Sequence, residues 1–273
     1  MPKVSVIMSV YNGEKYLKES AESILHQTFP DFEFIIVNDG STDKTPEILR
    51  SFNDERIKVI NQENMGLTRS LNKAINLVRG EYVARMDADD VSFPERLEYQ
   101  VKFLDENPDV GMVGTACKEI DSKGRLIGDC VFPTIDNELR KVLIKYNPFV
   151  HASVMIRRTV IDKAGIYDES FSSAQDYEFW FRIAKFYKIA NLAQLLLVRR
   201  YTTRNISIEK ENEQIKNSVN IRRKAIKEGQ YPLRCYIYLL RPFLVIITPK
   251  SIRWLIRKNF LKSGRIYYFR DGN

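Results

Sequence analysis

The first hundred residues alternate between two hydrophobic periods, and that alternation constrains the fold more than any other feature. "VSVIMSV" (4–10) is a short β-branched run with the character of a buried strand. "EKYLKESAESILHQ" (14–27) then places Tyr16, Leu17, Ala21, Ile24 and Leu25 on one helical face. The same sequence of types repeats. "FEFIIV" (32–37) reads as a strand and "TPEILRSF" (45–52) as a helix with Pro46 in its opening turn. "IKVI" (57–60) is a third strand, and "GLTRSLNKAINLV" (66–78) a helix that closes at Gly80. "EYVARM" (81–86) is a fourth strand, followed by a helix at "PERLEYQVKFLDE" (94–106). Strands alternating with helices predict βαβ units, an α/β fold with a mainly parallel central sheet flanked by helices. Such sheets bind ligands at the carboxyl ends of their strands, which is where this chain gathers its charged turns. From about residue 110 the pattern loosens: "DVGMVGTACKEID" resembles a strand, "SKGRLIGD" a turn into another, and "SSAQDYEFWFRIAKFY" (172–187) a helix with Phe179, Ile183 and Phe186 on one side. Residues 205–230 are polar and predict a surface helix.

The fourth strand runs straight into three carboxylates, Asp87, Asp89 and Asp90. Like charges this close repel, and each resists losing its water. A helix cap could account for them, but Ser92 and Glu95 already have capping-box spacing, with Pro94 in the first turn. A divalent cation accounts for them better. Mg²⁺ or Mn²⁺ takes carboxylate oxygens, usually one or two, together with substrate phosphates. The second strand ends the same way, in Asp39 followed by Gly40 and Ser41, either an ordinary Asx turn or an acceptor for a nucleobase. Neither G-x-G-x-x-G nor G-x-x-x-x-G-K-[ST] occurs, which argues against a dinucleotide enzyme or a P-loop phosphatase. Asp176 in "AQDYEFW" is an N-cap or a general base, with Glu178 its nearest rival. His151 reads as a structural residue, and the only other histidine, His26, lies in a predicted helix, so no histidine metal cluster can form.

Charge and cysteine content narrow the classes further. Residues 231–273 hold nine Lys or Arg against one acid, Asp271, which equals the whole net charge of +8; residues 1–230 balance. Cys117, Cys130 and Cys235 are few and widely spaced, fitting a reducing compartment and neither a disulfide framework nor a zinc site. No run of 18 uncharged apolar residues is present, and "MPKVSVIMSVYNG" lacks the marks of a secretory signal. The tail "YPLRCYIYLLRPFLVIITPKSIRWLIRKNFLKSGRIYYFR" (231–270) mixes apolar clusters with Lys and Arg, and Pro242 and Pro249 interrupt it. With Trp254, Phe260, Tyr267 and Tyr268 it suits an in-plane segment drawn to anionic lipid, or else a helical pair packed on the domain. It is too apolar for a nucleic-acid groove.

Four segments, "VSVIMSVYNGEKYLKESAESILHQTF", "FIIVNDGSTDKT", "NMGLTRSLNKAI" and "GEYVARMDADDVSFPERLEYQ", resemble the nucleotide-sugar domain of inverting family 2 glycosyltransferases with the GT-A fold. The resemblance continues more weakly through "NPFVHASVMIRR" and "AQDYEFWFRIA". It implies that Ser9, Tyr11 and Asp39 hold the base and ribose, that Arg69 approaches the diphosphate, and that Asp87 contacts the ribose side. It further implies that Asp89 binds the metal, Mn²⁺ or Mg²⁺, and that Asp176 is the catalytic base. Two positions depart from the family: Gln175 stands where a Glu commonly precedes the base, and Thr202 where relatives often carry His. The Q-x-x-R-W motif of processive synthases is absent, which favours single additions. The expectation is a nucleotide-sugar half (1–107), an acceptor half of the same domain (108–230) and a membrane-associating segment (231–273). The activity expected is transfer of one sugar, from a UDP-sugar above other donors, to a glycan or lipid-linked glycan in cell-surface polysaccharide synthesis. The protein is expected peripherally on the cytoplasmic face of the cell membrane, or otherwise in the cytoplasm. The alternatives are a catalytically silent nucleotide-sugar or glycan-binding module and a sugar nucleotidyltransferase, although "SVYNGEKYL" lacks the glycine-rich basic loop the latter needs.

Overall fold

The computed structural model describes residues 1–201 and 211–240, with the single positions 242, 245 and 248. Thr202 and the aromatic residues Trp254, Phe260, Tyr267 and Tyr268 lie outside the described residues. Among the described residues nine strands form one sheet: β1 (Val4–Val10), β2 (Phe32–Asp39), β3 (Ile57–Gln62), β4 (Tyr82–Asp87), β5 (Val91–Ser92), β6 (Val110–Asp121), β7 (Leu126–Cys130), β8 (Met155–Arg157) and β9 (Lys188–Tyr201). Their order is β3-β2-β1-β4-β8-β6-β9-β5, with β7 paired to β6. The helices are α1 (Leu17–Leu25), α2 (Thr45–Ser51), α3 (Leu67–Ile75), α4 (Arg96–Glu106), α5 (Asp136–Leu143), α6 (Arg158–Ala164), α7 (Gln175–Phe186) and α8 (Glu211–Lys227).

The parallel half is the one the alternating periods predict: β1 pairs in parallel with β2 and β4, and β2 with β3. The second half is mixed. Strand β8 lies antiparallel between β4 and β6, while β6 and β9 run parallel. Side chains alternate across the sheet as a period of two requires. Val4, Val6, Met8 and Val10 join the core under α1 and α4, whereas Ile7, Ile35 and Val37 join the core under α3 and α7. Each fully buried side chain of this size contributes about 1.5–3 kcal/mol.

Three expectations need correction. Ser92 is not a helix cap: it sits in β5, antiparallel to β9, and helix α4 starts at Arg96 with no side-chain cap of its own. The N–H of Leu97 instead donates to Gln27 Oε1 at 2.9 Å, so a residue just beyond the end of α1 satisfies the start of α4. Phe186 is exposed, unlike Phe179 and Ile183, because it stands at the last turn of α7 beyond the packed face. The polar helix α8 is not wholly at the surface: Ile221, Arg222, Ala225 and Ile226 are buried. Cys117 and Cys130, distant in sequence, face each other across β6 and β7 as free thiols.

Candidate active site

In the order β3-β2-β1-β4 the winding of the parallel strands switches sides between β1 and β4, and sheets of this kind bind ligands in the crevice beyond the carboxyl ends at such a switch. Register places Ser9 of β1 directly beside Asp87 of β4 at this point. The loops leaving β1 and β2 are laced together along its rim. The N–H groups of Asn12, Gly13 and Glu14 donate to Ser41 Oγ, Thr45 Oγ1 and Asp43 Oδ2 at 3.0, 2.9 and 3.0 Å. In return, Asn12 Oδ1 accepts the Thr42 N–H at 2.8 Å. Gly40 has φ +73°, and a Cβ there would come within 2.6 Å of the Asn64 nitrogen, so this turn requires glycine. Tyr11 is left 54% exposed at the rim, free to offer its ring to a planar group.

Asp39 is buried and already occupied. Its Oδ1 accepts Gln62 Nε2 and the Met65 N–H at 2.7 and 2.8 Å, and its Oδ2 accepts the Gly66 N–H at 2.9 Å. It therefore orders the entry to α3 and keeps a lone pair of Oδ2 for anything that docks beside it. Arg69, on α3, pairs with Glu169 at 3.3 Å, and both are half-exposed. The neighbouring Thr68 and Asn72 donate to the carbonyls of Phe171 and Tyr167 at 3.0 and 2.9 Å. Helix α3 is thus fastened to the segment that leads into α7.

The acidic turn lies at the end of β4. One carboxylate oxygen each from Asp87, Asp89 and Asp90 falls within a common 4.8 Å. Burial first, and the charge of Asp87 second, push Asp89 up to about 6. The same two causes, with Asp89 added, raise Asp90 well above the ordinary range. Asp90 Oδ2 is buried without a hydrogen-bond partner among the described residues. Three hard oxygen donors, two of them held against ionisation and one of them orphaned, fit Mg²⁺ or Mn²⁺ well. Asp87 has a partner of its own, the buried guanidinium of Arg85, two residues back on the same face of β4.

Asp176 is the second residue of α7, and the residue before that helix, Ala174, adopts a left-handed φ of 60°. No side chain caps the helix, so the N-cap alternative for Asp176 does not hold. The carboxylate accepts Asn147 Nδ2 at 2.8 Å. Burial raises its proton affinity, opposed by the Tyr177 N–H, by Asn147 and by the charge of Arg85. The rival carboxylate, Glu178, is buried and occupied by Arg182, whose Nε lies 2.8 Å from both of its oxygens. Arg182 also donates to the Ala164 and Ile166 carbonyls, which makes the pair a structural latch. The Tyr167 hydroxyl feels the charges of Arg85, Asp176 and Asp87 together, and sits 2.8 Å from His151 Nε2. Burial and Arg85 keep His151 neutral. Asp176 and Asp87, far apart in the chain, therefore both lie near enough to Tyr167 for their charges to act on its hydroxyl.

The family model for "Glycosyl transferase family 2" matches residues 5–164, more than half of the chain. The chain belongs to glycosyl transferase family 2. Among its relatives, the O-antigen biosynthesis glycosyltransferase WbnJ of Escherichia coli is 38% identical over 183 residues, covering 66% of this chain and 71% of WbnJ. The fold also matches residues 1–349 of S. aureus TarS in complex with UDP-GlcNAc, with a TM-score of 0.66 and 21% identity over 97% of this chain and 88% of that one. The mannosyltransferase PcManGT of Pyrobaculum calidifontis, in complex with GDP-Man and Mn²⁺, gives the same TM-score of 0.66 and 21% identity over 96% and 80%. The family 2 chain is a glycosyltransferase with the GT-A arrangement of a central sheet flanked by helices.

Sequence reasoning missed three residues of this site. Asn147, Arg85 and Tyr167 act through contacts formed only when β4, α7 and the segments between them come together. The nearest signal was the quoted segment "NPFVHASV", which opens with Asn147.

Proposed function

We propose that this enzyme transfers a single sugar, with inversion, from a nucleotide-diphospho-sugar to a glycan or lipid-linked glycan acceptor. The observation that carries the proposal is the group of Asp87, Asp89 and Asp90 carboxylates at the carboxyl end of β4, with Asp176 near enough to act together with Asp87 on the Tyr167 hydroxyl. The acceptor hydroxyl loses its proton to Asp176 as its oxygen bonds to the anomeric carbon, and the bond from that carbon to the diphosphate breaks on the opposite side. The transition state has oxocarbenium character, as in glycoside hydrolysis. Asn147 and the start of α7 hold Asp176 ionised and aimed, and burial keeps it a stronger base than a solvated aspartate. Ser9, Tyr11 and Asp39 take the base and ribose, Asp87 the ribose side, and Arg69 the diphosphate. Asp89, with its acidic neighbours, holds Mn²⁺ or Mg²⁺, which when bound supplies positive charge to the departing diphosphate.

UDP-sugars are the proposed donors, supported by the UDP-GlcNAc complex of a protein with this fold, and the GDP-Man complex of another is the competing choice. The O-antigen role named for WbnJ supports a place in surface-polysaccharide synthesis. Residues 1–107 form the donor half and 108–230 the acceptor half. Segment 231–273 is proposed to rest on an anionic membrane surface at the cytoplasmic face. At its start Leu233, Ile237 and Leu240 are 74, 63 and 61% exposed at a helical spacing, with Arg234 among them and the other eight basic residues of the tail following. Among the described residues no helix is long and apolar enough to cross a membrane. Incubating the enzyme with a panel of UDP- and GDP-sugars plus Mn²⁺ tests the reading. Slow hydrolysis of one donor is expected, and no hydrolysis or transfer from any would favour a silent binding module. Removal of 231–273 is expected to move the protein from anionic vesicles to the supernatant, and an unchanged distribution would refute the membrane role.

A further inference from the structure

The backbone of the acidic turn is held from two directions. On one side, α1 presents Ser20 and Ser23, one helical turn apart. Ser20 Oγ donates to the Asp87 carbonyl at 2.7 Å, and Ser23 Oγ accepts the Ser92 N–H at 3.0 Å. On the other side stands Arg200, at the far end of β9. Its N–H donates to Asp90 Oδ1 at 2.8 Å, its Nε to the Asp89 carbonyl at 3.1 Å, and its Nη2 to Glu19 Oε2 at 2.8 Å. The guanidinium lies 4.4 Å from the centroid of the Tyr16 ring, and the residue is only 6% exposed. One side chain from the acceptor half thereby ties the turn that carries Asp89 to the first helix of the donor half.

We propose that Arg200 is a positioning residue for cation binding. This rests on the reading of the acidic turn as the cation site. Three carboxylates within 4.8 Å repel one another, so an untethered turn would splay and would have to be reordered at each binding event. Arg200 removes both difficulties: it brings a buried positive charge beside the turn, and it fixes the main chain at Asp89 without occupying the Asp89 carboxylate. The Asp90 oxygen that Arg200 does not reach is the buried, unpartnered Oδ2. Lysine could not substitute fully, since an ammonium cannot reach the Asp89 carbonyl and Glu19 in one plane while stacking on Tyr16.

The test uses the full chain with UDP present, reading bound Mn²⁺ by the loss of the free-ion electron paramagnetic resonance signal, and separately titrating donor hydrolysis with Mn²⁺. Arg200→Met is expected to weaken Mn²⁺ binding roughly tenfold, the effect of losing about one hydrogen bond from a charged group. Arg200→Lys is expected to recover part of that loss, and saturating Mn²⁺ to restore most of the turnover of both variants. Wild-type affinity for Mn²⁺ in Arg200→Met would overturn the proposal, as would a loss of turnover in folded protein that saturating Mn²⁺ does not repair. Should Arg200→Met fail to fold, Glu19→Gln carries the test by loosening the guanidinium from its outer side. A smaller drop in Mn²⁺ affinity supports the proposal and an unchanged affinity overturns it. Wild-type protein that takes up no Mn²⁺ would instead overturn the cation reading itself.

Discussion

Replacing Asn147 by Ala removes the one side chain that, among the described residues, hydrogen-bonds the carboxylate of Asp176, a contact of 2.8 Å. Hydrogen bonds to charged groups are worth roughly 1.5–3 kcal/mol, and for this half-buried pair the lower end, about 1.5 kcal/mol, is the appropriate figure. The bond favours the ionised form, so its loss shifts the ionisation of Asp176 toward the protonated acid by about tenfold. The sign of the effect on rate then depends on pH. Burial already raises the proton affinity of Asp176, so with Asp176 as the proposed base the acid limb is expected above the ordinary aspartate range, with activity falling as pH drops through it. In Asn147→Ala that limb moves to still higher pH. At pH values on the limb kcat/KM drops by roughly tenfold, whereas well above it the rate returns close to that of the wild type. The assay is a pH profile of transfer, or of donor hydrolysis, for both proteins at saturating Mn²⁺. A uniform loss at every pH would refute the reasoning, because it would mean that Asn147 supports the fold or the acceptor and does not tune the base.

Three further outcomes follow from the same geometry. Asp176→Asn, which keeps the side-chain shape, is expected to lower transfer ~10²–10⁴-fold while nucleotide-sugar binding by calorimetry stays nearly intact; full turnover would exclude Asp176 as the base. Asp89→Ala is expected to abolish the difference in donor affinity with and without chelator, and an unchanged difference would exclude it from cation binding. Glu178→Ala breaks the buried pair with Arg182 and is expected to cost about 3 kcal/mol, lowering the melting temperature by roughly 6–12 °C while specific activity of the folded fraction survives. If melting were unchanged and transfer lost, Glu178 and not Asp176 would be the base.

The parallel half of the sheet was legible because its signals are local. The β-branched runs, Pro46 and the turn at Gly40 each specify their own conformation within a few residues. Asp39, Asp87 and Asp89 could be singled out because parallel strands put their carboxyl ends on one edge. The start of α4 misled: Ser92 and Glu95 have the spacing of a cap, but Gln27 reaches the helix first, and Ser92 lies in β5 opposite Leu197 of β9. No local pattern can report that kind of competition. The same holds for Arg200, which meets its partners Glu19 and Asp90 only after β9 has paired with β5. The antiparallel insertion of the three-residue β8 was likewise invisible, since so short a segment carries no period.

That brief strand has a wider consequence. By bonding to β4 on one flank and β6 on the other, β8 welds the two halves of the molecule into an unbroken ladder. A bilobal enzyme can grip its substrates by swinging one lobe on a hinge, but a single pleated plate has no such joint. Diversity in what this scaffold accepts must then arise from the segments that overhang the plate, leaving the floor beneath the reacting atoms unchanged.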